Sequence, residues 1–403
     1  MELFWLEHKK LWRKKIVKIC VLLCFVYCVI FGSILSFQWF CFGSSDDYTS
    51  AFGNNFDGYT VIKDSQEYAL SFGGELTDET LQQIVSDYQQ MEADGMEKEL
   101  EKTDWQIVNS WLGTLYPELR DTSNYKTMIS YVDPDKLTGF YERRQQVLDE
   151  FLEVSGQVGA EKEYLHQIDG KVEKPFHYEW VEGWSTILGS MVADLGVVMA
   201  LFLGIVLSSL FAGEWHDNTS TLVLTTRNGW GKIALAKILT GLAFTVELFA
   251  LLAVSSVISQ LFFMGTAGWD MPIQNIKLIA VAPMNMLQAE IYEYAFVLLG
   301  AIGFAGIVMF ISAAVKNNVL TLLLSLAVVY GPMMIAEYLP YGMQKALDLI
   351  PLVGSSTDIF RTNTFRIFGK LIWSPYLLIT IPVLIGILCM PFAIKSWSRR
   401  MKA

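Results

Sequence analysis

The sequence predicts an all-α polytopic membrane protein: six transmembrane helices, an amphipathic N-terminal interface helix, and a mainly helical external domain with minor β structure between helices one and two. Three observations predict it. Of 403 residues, 53% are hydrophobic and only 18% charged, too apolar for an ordinary soluble chain. Six apolar stretches are each long enough to cross about 30 Å of hydrocarbon. The net charge of −11 also hides a division, because Gly43 to Trp184 holds 29 Asp and Glu against 11 Lys and Arg. An acidic domain thus sits in a mildly basic apolar frame. Nucleic acid is excluded as its partner, since phosphate binding needs positive charge.

Residues 1–15 come first. Phe4, Trp5, Leu11 and Trp12 share one face at seven-residue spacing, with Lys9, Lys10, Arg13 and Lys14 around the other. Such a helix is expected to lie at the inner membrane surface against anionic lipid. The first transmembrane unit follows at 16–42, with its span at about 16–40. It is longer than a signal-peptide core, and Phe37-Gln38-Trp39-Phe40-Cys41-Phe42 offers no small-residue cleavage site. Cys20, Cys24 and Cys28 repeat every four residues and are read as one packing face of this helix.

The acidic domain occupies 43–184. Thr77-Asp78-Glu79 opens a predicted helix carrying Leu81, Ile84, Val85, Tyr88 and Met91 up to Gly95. A second carries Trp105, Val108, Trp111, Leu112 and Leu115 and stops before Pro117; a third runs from Phe140 through Leu152 to Gly156. Short β-like pieces stand at 59–62 and 176–180. No cysteine follows Cys41 within the domain, so no disulfide framework is expected there. His166 and His177 are isolated and read as surface residues, and no metal-ligand spacing is present.

Residues 185–403 hold the remaining spans at about 187–212, 233–264, 294–315, 319–337 and 374–394, with a cytoplasmic loop at 213–232. If the spans alternate, the N-terminal lysines, Arg227 and Lys232, Lys316, and the tail residues Lys395, Arg399, Arg400 and Lys402 all fall on one side. That side is cytoplasmic by the positive-inside rule. The expected location is the cell (plasma) membrane, multi-pass, with both termini inside and residues 43–184 outside. Trp5, Trp12, Trp215, Trp230 and Trp397 then mark the inner boundary, and Trp39, Trp180, Trp184, Trp269 and Trp373 the outer one.

The 213–232 loop reads Gly213-Glu214-Trp215-His216-Asp217-Asn218-Thr219-Ser220-Thr221-Leu222-Val223-Leu224-Thr225-Thr226-Arg227, then Gly231-Lys232 and Lys237. Asp217 or Asn218 caps a short predicted helix at the membrane face. Gly213-Glu214, Asn218-Thr219, Leu224-Thr225-Thr226, Gly231 and Lys237, within this order of elements, resemble the type 2 exporter permeases of the ATP-binding cassette (ABC) superfamily. The Pro usual after the Thr pair is replaced by Arg227-Asn228. The resemblance implies that this loop holds the coupling helix that docks on an ABC ATPase. Glu214, Trp215, His216, Asp217, Asn218, Thr219, Leu222, Thr225, Thr226 and Arg227 are its candidate contacts. It further implies two ATPase copies, a second permease chain (identical or homologous), surrounding membrane lipid, and ATP with Mg held by the partner and not by this chain.

Asp194 and Glu247 stand within otherwise apolar spans. A carboxylate there costs about 2.5–3.5 kcal/mol on insertion scales and ordinarily faces an interior or a water path, so both are candidates for the lining of a translocation route. Asp194 is also near the outer end, where it reaches water. Glu290 and Glu293 are expected at the hydrated mouth of span four. No phosphate loop is present, since Gly229-Trp230-Gly231-Lys232-Ile233 lacks the spacing and the hydroxyl, and no hydrolase motif occurs. The expectation is a transport subunit without enzymatic activity, forming the path for an amphipathic peptide, lipid or drug. The alternative is a membrane sensor or immunity protein whose external domain binds a peptide without transporting it.

Overall fold

The computed structural model describes residues 2–30, 66–67, 73–95, 105–121, 123, 125–180, 182–188, 192–217, 219, 231–354, 360 and 363–399. Helix α1 (Glu2–Arg13) and α2 (Lys15–Val29) meet at a bend at Lys14. Cys20, Cys24 and Cys28 form a buried face of α2. The predicted first span is described only as far as Ile30, and the β-like piece at 59–62 lies outside the described residues.

The acidic domain, where described, holds strand β1 (Gly74–Leu76), helices α3 (Asp78–Ala93), α4 (Trp105–Leu115), α5 (Phe140–Val154) and α6 (Ala160–Asp169), and strand β2 (Phe176–Tyr178). β1 and β2 pair antiparallel with Glu75 opposite His177. The first three helices match the periodicity of their sequence; α6 is an addition. Thr77 caps α3 by accepting the Thr80 N–H. Asp78 in turn accepts the Gly139 and Phe140 N–H groups at 2.6 and 3.0 Å, so one carboxylate closes the start of α5 as well. Gly139 has φ +72° at that junction, a backbone region open to glycine and strained for other residues. Trp111, Phe140, Tyr141, Phe176 and Tyr178 form an edge-to-face aromatic core.

After the short α7 (Glu182–Thr186) come five helices long and apolar enough to span a membrane. They lie in α8 (Val192–His216), α9 (Gly231–Met264), α10 (Met286–Val315), α11 (Asn318–Ala336) and α13 (Ser374–Arg399). Between the last two lie α12 (Tyr341–Leu347) and the hairpin β3 (Thr364–Ile367) with β4 (Lys370–Trp373). α10 begins eight residues earlier than its hydropathy predicts. Asn285 and Gln288 form a reciprocal capping box that starts the helix in polar sequence. Glu290 and Glu293 are therefore helical and buried, at 4% and 7% exposure, not at a hydrated mouth.

α10 and α13 pack backbone to backbone. A Cβ on Gly303 would stand 2.2 Å from the Pro382 carbonyl oxygen, and one on Gly306 would stand 2.4 Å from that of Gly386. Small residues permit this approach where apolar helices have little hydrophobic reason to associate in lipid. On α8, the Phe211 and Ala212 N–H groups donate to Ser312 Oγ of α10, whose hydroxyl donates to the Ser208 carbonyl.

Trp215, Lys316 and Trp397 meet at one end of the bundle. Lys316 Nζ lies 4.3 Å over the Trp215 ring, and Trp215 meets Trp397 at 6.0 Å. At the opposite end the acidic domain is clasped to the α9–α10 connection. Trp180 and Trp184 donate to the Met264 and Thr266 carbonyls, and Trp111 donates to Asn275 at 2.8 Å. The fully buried Arg144 pairs with Asp169 at 2.6 Å and donates to the Leu278 and Ala280 carbonyls. The β3–β4 hairpin joins the same assembly, with Thr364 bonded to Gln157 and Arg366 to Glu161. Both connections are thus built into the domain.

Candidate functional site

The site at the basic end begins with a charge in an unfavourable place. Glu214 lies in the last turn of α8, where a helix presents carbonyl oxygens and disfavours an anion. Lys237 lies in the second turn of α9, near an end that disfavours a cation. The two side chains meet at 2.8 Å, both almost fully buried. Lys10 of α1 contacts the same Glu214 oxygen at 2.6 Å, and Glu7 of α1 holds Lys237 at 2.7 Å. Thr219 donates its hydroxyl to the other Glu214 oxygen at 2.5 Å, and its N–H to the Glu214 carbonyl. Three chain segments are thereby tied through one carboxylate.

Burial alone lowers the Lys10 pKa, but the hydrogen bond to Glu214 and the charges of Glu214, Glu7 and Asp217 outweigh it and raise it above the ordinary lysine value. Lys14 is shifted the other way. Burial and then the charges of Lys237 and Lys10 lower it, and it donates to Ser209 Oγ at 2.9 Å instead of an acid.

The other loop candidates divide. Trp215 sits under Lys316, while His216 and Asp217 are exposed and paired with each other at 3.1 Å. Asn218, Leu222, Thr225, Thr226 and Arg227 lie outside the described residues. Lys10 and Glu7 were missed as site members in the sequence. Their only signal is a single Lys-Glu position on a helix otherwise read as a membrane anchor.

α1 rests its buried face on α9. Leu11 is buried and Trp12 meets Phe244 at 5.8 Å, whereas Trp5 is 61% exposed and Phe4 is half-buried. Trp12 Nε1 donates to Glu247 at 3.0 Å, and His8 Nε2 lies 3.2 Å from the same carboxylate. Glu247 is 17 residues from the far end of α9, or about 25 Å of helix, near the middle of its 34 residues. Asp194 is exposed in the first turn of α8 and within hydrogen-bonding reach of Tyr27 on α2. The Glu214–Lys237 pair sets α8 and α9 in register, so Asp194 stands about ten residues of helix, roughly 15 Å, from Glu247. The structure does not bring the two together.

A second feature lies at the domain end. A cleft of about 380 Å³ is lined by Lys171, Glu173, His177, Asp270, Gln274 and Gln288, with three prolines in its walls. Gln274 is fully buried, its amide held by the Ala280 and Ala282 carbonyls. The volume is at the small end of the range for ligand pockets. Among the described residues no group of three or more His, Cys, Asp or Glu is placed to hold a metal ion.

No family model, curated protein or solved structure matches the chain. What the molecule can do is argued from its own geometry. At the basic end, Glu214 ties α8 to α9 and α1.

Proposed function

We propose that the chain is the permease subunit of an ATP-driven exporter of the ABC type, coupled to a separate ATPase through the 213–232 loop. The observation that carries this reading is the buried Glu214, shared by Lys10, Lys237 and Thr219 at the point where α8 leaves the bundle. A coupling loop needs a stiff attachment to the spans it moves, and the buried Glu214–Lys237 pair, joined by the half-exposed Lys10, supplies one. ATP binding and hydrolysis, with Mg, belong to the partner. The membrane helices of two permease chains form the path for an amphipathic peptide, lipid or drug. The clasped external domain moves with the α9–α10 connection, as a lid or receptor would.

Co-expression with the candidate ATPase tests the proposal. Wild-type chain should retain the ATPase through purification and respond to cargo with increased hydrolysis. Glu214→Gln should weaken both, at least tenfold for stimulated hydrolysis. A chain that purifies without any ATPase, and whose efflux is indifferent to Glu214, overturns it.

The external cleft favours a second reading, in which the domain senses a peptide without transport. Binding at the cleft with no ATP-dependent efflux from proteoliposomes selects that reading.

A further inference from the structure

The α9–α10 interface near the external domain holds four polar side-chain atoms without partners. Ser256 Oγ of α9 and Tyr294 Oη of α10 lie 3.0 Å apart, which sets the register of two antiparallel helices. One turn outward on each, that register places Gln260 beside Glu290. Gln260 is 0% exposed and Glu290 4%. Neither amide atom of Gln260 and neither carboxyl oxygen of Glu290 has a hydrogen-bond partner.

Among the described residues, none of the groups within electrostatic reach of Glu290 is a cation. The charged or titratable groups within electrostatic reach are Glu293 and Tyr294 on α10 itself and Cys28 of α2 beyond Tyr294. Tyr292, with Tyr376 of α13 behind it, lies next to Glu293. From α9 come the neutral Ser255, Ser256 and Gln260. An ionised Glu290 would thus be a buried anion without a counter-ion or a donor, with a second carboxyl one turn away. That arrangement is strongly unfavourable in a low-dielectric interior.

One proton removes the conflict. A neutral carboxyl has an O–H donor and a carbonyl acceptor, and the primary amide has the complementary N–H and C=O. Glu290 O–H donating to Gln260 Oε1, and Gln260 Nε2 donating to the other Glu290 oxygen, would convert four unpartnered atoms into two reciprocal hydrogen bonds. We propose that Glu290 is a proton-binding site within the membrane domain, held as the neutral acid against Gln260. When α9 and α10 part at the domain end and admit water, the proton passes to that water and the hydrated carboxylate remains ionised. The site then links proton release to an opening of this interface, whatever the cargo of the chain.

Infrared spectroscopy of the full chain in lipid at about pH 7 tests this, because ordinary Asp and Glu are ionised there and give no protonated-carboxyl C=O band. The expected result is such a band, worth one carboxyl per chain, lost in Glu290→Gln and kept in Glu293→Gln. In Gln260→Leu the band should move to higher frequency as its hydrogen bond is lost. Glu290→Gln preserves shape and can form an amide–amide pair, so its melting temperature should stay close to wild type. Absence of the band overturns the proposal, as does its loss in Glu293→Gln instead. Stoichiometric binding of radioactive sodium that disappears in Glu290→Gln also overturns it, in favour of a metal cation at the site.

Discussion

Glu214 and Lys237 meet at 2.8 Å, each near the end of its helix that disfavours its own charge. Neither residue is explained by its own helix; each is explained by the other. Removing one partner leaves a buried charge uncompensated, so Glu214→Gln and Lys237→Met are each expected to destabilise the chain by about 3–5 kcal/mol. The double variant Glu214→Gln/Lys237→Met should recover part of the loss. Thermal unfolding in detergent, arranged as a double-mutant cycle, measures the coupling; strictly additive losses would show that the pair does not interact.

Glu247 has two candidate roles that one comparison separates. Glu247→Ala is expected to impair efflux in proteoliposomes while assembly is retained. If its role is to hold α1 through Trp12 and His8, then Trp12→Phe with His8→Ala reproduces the defect. If Glu247 lines the path, that pair of changes leaves efflux near wild type. Unchanged efflux in Glu247→Ala removes it from the mechanism.

Arg144 is fully buried and carries its charge against Asp169 while bonding two carbonyls of the α9–α10 connection. Arg144→Met strands Asp169 and should cost about 3–5 kcal/mol. Arg144→Lys should also be poorly tolerated, because an ammonium does not reproduce a planar fork. Limited proteolysis around residues 276–282 provides the local readout, with faster cleavage expected in both variants.

The α10–α13 contact gives an internally controlled test. Gly306→Ala places a methyl where the Gly386 backbone already lies, and Gly303→Ala does the same against Pro382. Both should lower the melting temperature sharply. Gly331→Ala in α11 meets nothing within 4 Å and should be neutral, or stabilising by up to about 1 kcal/mol from helix propensity. Equal behaviour of the three variants would refute close packing at this crossing.

The acidic domain carries an alkaline limit. Burial, and then the charge of Asp78, push the Tyr116 hydroxyl up to about 12. Burial pushes Tyr141 to about 12 as well, against the opposing effect of the Phe176 N–H. The folded state thus favours the neutral phenol, and an unfolded tyrosine titrates near 10. This contribution to stability is complete below about pH 10 and is lost as the pH rises towards 12. Tyrosinate absorbance of the intact chain should show late-titrating groups, with one fewer in Tyr141→Phe. That variant also leaves the Leu76 carbonyl and the Phe176 N–H without their partner, at a cost of about 1–3 kcal/mol.

The sequence by itself determined what depends on local pattern: the apolar runs that become α8 to α11 and α13, the helices carrying Leu81, Trp111 and Leu148, and the buried cysteine face of α2. Periodicity and length are properties of a segment, so they can be read along the chain. It also drew attention to Glu214 and Lys237 through the loop motif, though not to their contact. Only the tertiary structure decided which polar groups share an interior. Lys10 joins Glu214 and Glu7 joins Lys237 across more than two hundred residues, and Arg144 locks onto Leu278 and Ala280. Each of these is a charge or amide whose cost is settled by a distant partner, and hydropathy summed along one helix carries no term for such a partner.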